Sequence, residues 1–314
     1  MTTCPPDLAS FHDDVIDGLG QTPRSIPCKY FYDERGSQLF DQICDLDEYY
    51  LTRTELSIME QYAGEMADCI GGGVMLVEFG SGSSVKTRIL LDHLHEPIAY
   101  VPVDISQDHL QKTAATLRQR YPNIEILPVC ADFTQDFELP LSKREPTHDA
   151  VYFPGSTIGN FQPEAASELL QRIVRLCGCG GGLLIGIDLQ KDPQMIESAY
   201  NDSSGVTAEF NLNLVNRMRR DLGVEIQTSD FKHQATYNTQ SHRVEIGLVS
   251  RSDQEVKIGD HRFQLSEGEL IQTEYSHKYT VEGFAKLASE AGLTLKAHWT
   301  DSDDLFAVLH LVVE

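Results

Sequence analysis

The sequence predicts an α/β fold in which a doubly wound, mostly parallel sheet is joined to a second α+β domain. Three observations support this prediction. Apolar strand-like runs alternate with helix-like segments from about residue 73 to 189. After Leu189 the alternation stops and a segment patterned like antiparallel strands follows, and near residue 280 the earlier pattern returns. Strands that alternate with helices form right-handed crossovers and therefore parallel sheets.

The alternating segment contains short, nearly continuous apolar runs, as expected for strands that are covered on both faces. The predicted strands are 74–79, 98–105, 124–130, 150–153 and 182–189. Helices are predicted at 107–120 and 163–176.

The flanking segments have a different pattern. Residues 1–68 are predicted to be helices and loops, with a capping box in which Thr52 is the N-cap and Glu55 is at N3. Residues 193–222 are mostly helical with a break near Ser203–Gly205, and residues 242–280 are predicted to be antiparallel strands.

The last part of the chain, with a predicted helix at 281–291 and strands at 293–299 and 306–313, belongs with the alternating segment. We therefore expect a cofactor-binding domain of residues 69–195 plus 280–314. A substrate-binding domain of residues 1–68 plus 196–279 would complete the chain.

The charge of the chain limits its partners. The net charge is −23, from 25 basic and 48 acidic residues, so the surface repels phosphate backbones and anionic lipid. Met1–Pro6 has no basic and apolar export signal, and no apolar stretch reaches 18 residues. We expect a cytoplasmic monomer that acts on a small molecule, with no nucleic-acid or membrane partner.

Metal binding is not expected. The seven cysteines are scattered, and Cys177-Gly-Cys179 without a second pair is a poor zinc site. His93 and His95 would point to different sides of a helix, and no H-E-x-x-H motif is present.

A nucleoside cofactor is predicted from the ends of three successive strands. The first strand ends in Glu78-Phe79-Gly80-Ser81-Gly82, where glycines allow a tight turn and close approach to a ligand. Asp104 ends the second strand, in position for ribose hydroxyls, and Asp132-Phe133 follows the third, in position for adenine. Ser83-Ser84 stands where a dinucleotide fingerprint has its third glycine, which disfavours NAD. The acidic-x-G-x-G form resembles Rossmann-like enzymes that use S-adenosylmethionine and release S-adenosylhomocysteine.

Longer motifs carry a more specific resemblance. They are Lys29–Asp33, Gly36–Ile43, Glu48–Glu55, Gly155–Phe161, Tyr200–Thr207 and Thr273–Ser276. From Ser25 onward the chain resembles the histidine-specific methyltransferase family of the ergothioneine pathway, which makes the trimethylated betaine of histidine, hercynine. The resemblance implies a class I methyltransferase domain and N-methylation of the α-amino group of free L-histidine.

The resemblance also implies a role for each of several residues. Cofactor contacts are implied for Gly80, Gly82, Lys86, Asp104, Asp132 and Phe133. The amino acid's α-amino and carboxylate ends are assigned to Asn160 and Tyr200, beside Gly155, and Glu274 and Ser276 are assigned to the imidazole. Tyr32 and Tyr49 would be further pocket residues and Phe40 an aromatic wall. Asn160, Tyr200 and Tyr32 are the candidate catalytic residues.

One segment departs from the family pattern. Val244-Glu245-Ile246-Gly247 lacks the Met-Trp that the family commonly carries at the last two positions, so Ile246 and Gly247 could reshape the side-chain pocket. Two alternatives therefore stay open. One is an N-methyltransferase for another amino acid or an indole amine, and the other is a non-enzymatic nucleoside-binding protein. Glu274 and Ser276 favour histidine.

Overall fold

The structure is a computed structural model that describes residues 8–82 and 85–314, without the side chains of Asp108 and His109. The chain divides into two compact units. The first unit consists of Leu51–Gln190 and Lys278–Glu314, and the second of the described chain up to Tyr50 with Lys191–His277. The expectations for Met1–Pro6 and Ser83-Ser84 lie outside the described residues.

The helices are α1 (Leu8–Gly20), α2 (Glu34–Cys44), α3 (Tyr50–Ile70), α4 (Val85–Leu91), α5 (Gln107–Arg120), α6 (Pro163–Cys177), α7 (Pro193–Ala199), α8 (Val206–Leu222) and α9 (Val281–Glu290). The strands of the first unit are β1 (Val74–Phe79), β2 (Ala99–Asp104), β3 (Glu125–Ile126), β4 (Val129–Cys130), β5 (His148–Phe153), β6 (Gly182–Asp188), β12 (Leu293–Thr300) and β13 (Phe306–Val313). Those of the second unit are β7 (Phe231–Asn238), β8 (Arg243–Ser250), β9 (Gln254–Ile258), β10 (His261–Leu265) and β11 (Leu270–His277).

The first unit is organised around one mixed sheet with the strand order β12-β13-β6-β5-β1-β2-β3, and β4 also pairs with β2. The pairs from β6 to β3 are parallel, whereas β13 is antiparallel to both β6 and β12. Every residue of β1 and β6 is buried, which means that both faces of the sheet are covered. The doubly wound, mostly parallel prediction is confirmed.

The predicted strand 124–130 is wrong in one respect, because it is broken into β3 and β4. Pro128 lies between the two pieces. A proline has no N–H to donate to a neighbouring strand, so the ladder is interrupted there.

The predicted capping box at Thr52 is also wrong. Helix α3 begins at Tyr50, so Thr52 already lies inside the first turn. Glu55 is fully buried and does not cap the helix. Residues 51–68 belong to the first unit, whereas the sequence pattern assigned them to the substrate-binding domain.

The second unit contains a three-stranded antiparallel sheet, β11-β8-β7, and the separate hairpin β9-β10. The pairing of β11 with β8 shifts by one residue between Gln272 and Glu274, so Thr273 is the extra residue of a β-bulge. Strand β7 was not predicted. Its alternation of buried and exposed positions is regular, but Lys232, Gln234 and Thr236 make the segment polar overall.

Candidate functional site

The glycine turn after β1 has the geometry that a closely approaching ligand needs. Gly80 and Gly82 have φ angles of 72° and 40°, in the left-handed region that favours glycine. A β-carbon on Gly80 would meet none of the described residues within 4 Å. The Gly80 N–H donates to the Val103 carbonyl at 2.9 Å, which ties the turn to β2. This glycine turn therefore has the backbone geometry that close approach of a nucleoside cofactor needs.

Glu78, two residues before Gly80, is held inside the fold by hydrogen bonds. Its carboxylate accepts hydrogen bonds from the Thr87 hydroxyl at 2.6 Å and from the Tyr100 hydroxyl. Burial raises the pKa of the Glu78 carboxyl to about 8. Glu78 therefore links β1 to α4 and β2 from inside the fold.

The two aspartates predicted for the nucleoside lie at the same edge of the sheet, after β2 and β4. Asp104 is half-buried and accepts the Ser106 N–H at 2.9 Å. Asp132 accepts from the Thr134 N–H at 2.9 Å and from the Thr134 hydroxyl at 2.6 Å. Phe133 is half-buried and stacks on Phe79, with ring centroids 5.2 Å apart.

Glu55 joins two of the predicted site residues. Its buried carboxylate accepts a hydrogen bond from the Lys86 ammonium and another from the Gly155 N–H at 2.9 Å. A β-carbon on Gly186 of β6 would lie 2.4 Å from Glu55 Oε1, so only a glycine leaves room for this carboxylate. Sequence reasoning missed Glu55 as a site residue, because its motif was interpreted as a helix cap.

Gly155 and Asn160 follow β5 in the first unit. Gly155 has a φ of 76°, and Asn160 is the half-buried last residue of the 3-10 turn Thr157–Asn160. Parallel strands place their carboxyl ends at one edge of a sheet, so both residues lie at the edge that carries Gly80 and Asp104.

The second unit brings together the buried residues Tyr49, Tyr200 and Ser276 and the half-buried Glu274. The Tyr49 and Tyr200 rings meet edge to face, with centroids 6.1 Å apart, and the Tyr200 hydroxyl is hydrogen-bonded to Ser276 Oγ at 2.8 Å. Burial raises the pKa of Tyr49 well above its usual range, and the acidic neighbours Tyr200 and Glu274 raise it further. The Tyr49 hydroxyl therefore stays protonated and can donate a hydrogen bond.

Three aromatic rings form a second cluster in this unit. Tyr32 lies 5.7 Å from Phe40 and 5.7 Å from Phe210, and Phe40 lies 6.1 Å from Phe210, measured between ring centroids. Phe210, on α8, was not singled out from the sequence, because an aromatic residue on a helix usually belongs to a core. Phe210 is recognised as a member of this cluster because its ring packs against both Tyr32 and Phe40.

Ile246 and Gly247 differ in what they contribute. Ile246 is paired with Glu274 across the β8–β11 ladder, so the two side chains are neighbours on one face. Gly247 does not open a pocket. A β-carbon there would lie 2.5 Å from Leu270 Cδ1 and 2.6 Å from the Ile271 carbonyl oxygen, so its missing side chain is replaced by β11 itself.

No group of three or more His, Cys, Asp or Glu side chains able to hold a metal ion occurs within the described residues. Over the same residues, no helix is long and apolar enough to cross a membrane. Of the close cysteine pair, Cys177 is buried and Cys179 exposed.

Comparison with known proteins places the chain in a family. Residues 11–313 match the family model described as histidine-specific methyltransferase, SAM-dependent. The chain is 38% identical over 294 residues to histidine N-alpha-methyltransferase of Mycolicibacterium smegmatis, covering 92% of this chain and 90% of the relative. It is 30% identical over 310 residues to ergothioneine biosynthesis protein 1 of Neurospora crassa, covering 93% of this chain and 33% of that protein.

Among solved structures, a S-adenosylmethionine-dependent methyltransferase from Clostridium acetobutylicum is similar, with a TM-score of 0.49 and 11% identity over 87% of this chain and 97% of that one. The resemblance predicted from the motifs is confirmed by the family model and by the two relatives above. With its glycine turn, strand-end aspartates and tyrosine cluster, this chain belongs to the S-adenosylmethionine-dependent histidine-specific methyltransferase family.

Proposed function

We propose that this chain transfers methyl groups from S-adenosylmethionine to the α-amino nitrogen of free L-histidine and carries the reaction to the trimethylated betaine of ergothioneine biosynthesis. The observation that carries the proposal is the cluster of buried Tyr49, Tyr200 and Ser276 with the half-buried Glu274. A half-buried carboxylate on the same strand face as the Ser276 hydroxyl suits an imidazole, whose N–H group would satisfy it, and disfavours side chains that lack such a donor.

The cofactor would be held in the first unit by Gly80, Gly82, Lys86, Asp104, Asp132 and Phe133. When bound, S-adenosylmethionine supplies an electrophilic methyl group on a sulfonium sulfur. Lys86 is the residue for the amino-acid carboxylate of the cofactor, because its ammonium is held in a fixed place by Glu55 and remains partly exposed.

The protein's part in the displacement is to bind, orient and desolvate a neutral amine. Asn160 and Tyr200 are proposed to hold the α-amino and carboxylate ends of the substrate, with Gly155 beside them. The clustered rings of Tyr32, Phe40 and Phe210 are proposed to stabilise the nitrogen by cation–π contact as it becomes a fixed cation.

Each methyl transfer requires that the ammonium first lose a proton. Tyr49 is a poor base for this step, because burial keeps its hydroxyl protonated. We therefore propose that the proton leaves to water, directly or through another tyrosine hydroxyl. Tyr49 is assigned the role of hydrogen-bond donor. A monomeric state and a cytoplasmic location complete the proposal.

Mass spectrometry of the purified protein with S-adenosylmethionine and a pool of free amino acids tests the proposal. We expect histidine alone to gain mass in successive methyl steps up to the trimethyl form. In the Asn160→Ala variant, the affinity for histidine should fall far more than the affinity for S-adenosylmethionine. Methylation of a different amino acid or of an indole amine would contradict the histidine assignment.

A further inference from the structure

We propose that a hydrogen-bond network of the buried Thr273 and Asn211 and the half-buried His233, named here the Asn211 network, positions Tyr200 relative to Glu274 and so sets the preference for histidine. This inference rests on the proposed function, since it concerns the same substrate. The three residues are positioning residues that act through Tyr200 and Glu274.

Asn211, on α8, is the centre of the network and is only 1% exposed. Its Nδ2 donates to the Gly247 carbonyl at 3.0 Å and to His233 Nδ1 at 2.9 Å. Its Oδ1 accepts from the Thr273 hydroxyl at 2.9 Å. Because a carbonyl can only accept, the contact with Gly247 fixes which end of the amide is the nitrogen.

The orientation of Asn211 determines the tautomer of His233. Nδ1 receives the amide hydrogen and therefore carries no proton, so the proton is on Nε2. Nε2 donates to the backbone carbonyl of Tyr200 at 2.9 Å. Burial lowers the pKa of His233, which favours this neutral form.

The other end of the network is the β-bulge of β11. Thr273 is the extra residue, and its hydroxyl lies 3.1 Å from the Ile246 carbonyl as well as contacting Asn211. Gln272 Nε2 donates to the same carbonyl at 2.9 Å and to the Glu274 carbonyl at 2.6 Å. These bonds hold the bulge in one conformation, and the residue that follows it is Glu274.

A second hydrogen bond links Tyr200 to β11, because the Tyr200 hydroxyl is hydrogen-bonded to Ser276 on that strand. Tyr200, assigned to the amino-acid end, and Glu274, assigned to the imidazole, are thus connected by two hydrogen-bonded routes. A fixed separation between these groups selects a substrate of one length, which is how the network would favour histidine.

The experiment compares Thr273→Val with Thr273→Ser. Valine keeps the shape and removes the hydroxyl, whereas serine keeps the hydroxyl. For Thr273→Val we expect the KM for histidine to rise about tenfold while the KM for S-adenosylmethionine stays within about twofold. Thr273→Ser should restore the KM for histidine to within about threefold of the unsubstituted protein.

A second pair of variants separates the two bonds of His233. Asparagine retains an acceptor near the Nδ1 position, and glutamine retains a donor near the Nε2 position. We expect His233→Gln to keep the lower KM for histidine of the two, because it still reaches the Tyr200 carbonyl. Equal KM values for Thr273→Val and Thr273→Ser would overturn the network, as would joint rises in both KM values with a lowered Tm.

Failure of the proposed function has a different signature. If the unsubstituted protein methylates another amine and leaves histidine unchanged, the histidine assignment fails. The same variants are then measured with that amine, and a selective rise of its KM in Thr273→Val supports the network, whereas no such rise contradicts it.

Discussion

The two units build their candidate binding sites by different means. In the first unit, Gly80, Asp104, Asp132 and Gly155 end or follow parallel strands of one sheet, and the sheet topology places them at a common edge. In the second unit, Tyr200, Asn211 and His233 come from a helix end, a helix and a strand, and hydrogen bonds made by the Asn211 and His233 side chains hold them together.

Because the two sites are built differently, they are sensitive to different kinds of substitution. A site made by topology fails when a glycine or a buried charge beneath it is changed, because the backbone itself moves. A site made by side-chain hydrogen bonds loses affinity when one hydroxyl is removed, although the fold survives.

Glu55→Ala should be the most damaging change in the first unit. It leaves the Lys86 ammonium and the Gly155 N–H without their carboxylate partner in a site where Glu55 is 0% exposed. We expect the free energy of unfolding to fall by about 4 kcal/mol in urea titrations. Glu314→Ala, which breaks the exposed pair with Lys296, is the control and should leave the free energy of unfolding nearly unchanged. Similar losses for the two variants would contradict the role of Glu55.

Glu78 should make stability depend on pH. Its pKa in the folded state is about 8, above the usual value of 4.5, so between these values the folded state binds a proton that the unfolded state lacks. Stability should therefore fall as pH rises through this window, by about 1 kcal/mol per pH unit, and level off above it. Glu78→Gln keeps an acceptor for Thr87 and Tyr100 but cannot titrate, so its curve should lack this fall. Parallel curves from urea titrations across this pH range would contradict the shift.

Gly247→Ala should destabilise the second unit by about 2 kcal/mol, because the new methyl group would collide with Leu270 and the Ile271 carbonyl. Gly20→Ala is the matched control in the same unit. Among the described residues, its β-carbon would meet only Phe263 at 3.9 Å, an ordinary contact. Thermal unfolding checks both variants, and an unchanged Tm for Gly247→Ala would mean that the strand pairing adapts.

Tyr200→Phe should raise the KM for histidine about tenfold and leave the affinity for S-adenosylmethionine unchanged, because it removes the hydroxyl bonded to Ser276. Steady-state kinetics and calorimetry measure the two effects. Tyr275→Phe, on the same strand as Ser276 with its ring packed against the Arg243 guanidinium, is the control and should change neither. A loss of cofactor affinity in Tyr200→Phe would contradict the contrast between the units.

Much of the first unit could be predicted because local sequence pattern determines it. Apolar runs ending in glycine or aspartate gave β1, β2 and the strand-end residues of the cofactor site. Glu55 could not be found in this way, because its partners Lys86, Gly155 and Gly186 are distant in sequence and meet it only in the folded sheet.

The second unit was harder to predict for the same physical reason. Tyr49, Tyr200, Glu274 and Ser276 were found through a family resemblance, since single tyrosines and a glutamate in a strand carry no distinctive pattern. Phe210, Asn211 and His233 depend on how α8 packs against the sheet, and the bulge at Thr273 depends on one shifted pairing. None of these has a local sequence signal.

The position of β13 also affects how the chain folds while it is being synthesised. This strand is translated after every other strand described, yet it lies between β6 and β12 in the sheet. Until Phe306–Val313 has left the ribosome, β6 remains an unpaired apolar edge. A chain truncated shortly before residue 306 would therefore leave that edge exposed and be prone to aggregation.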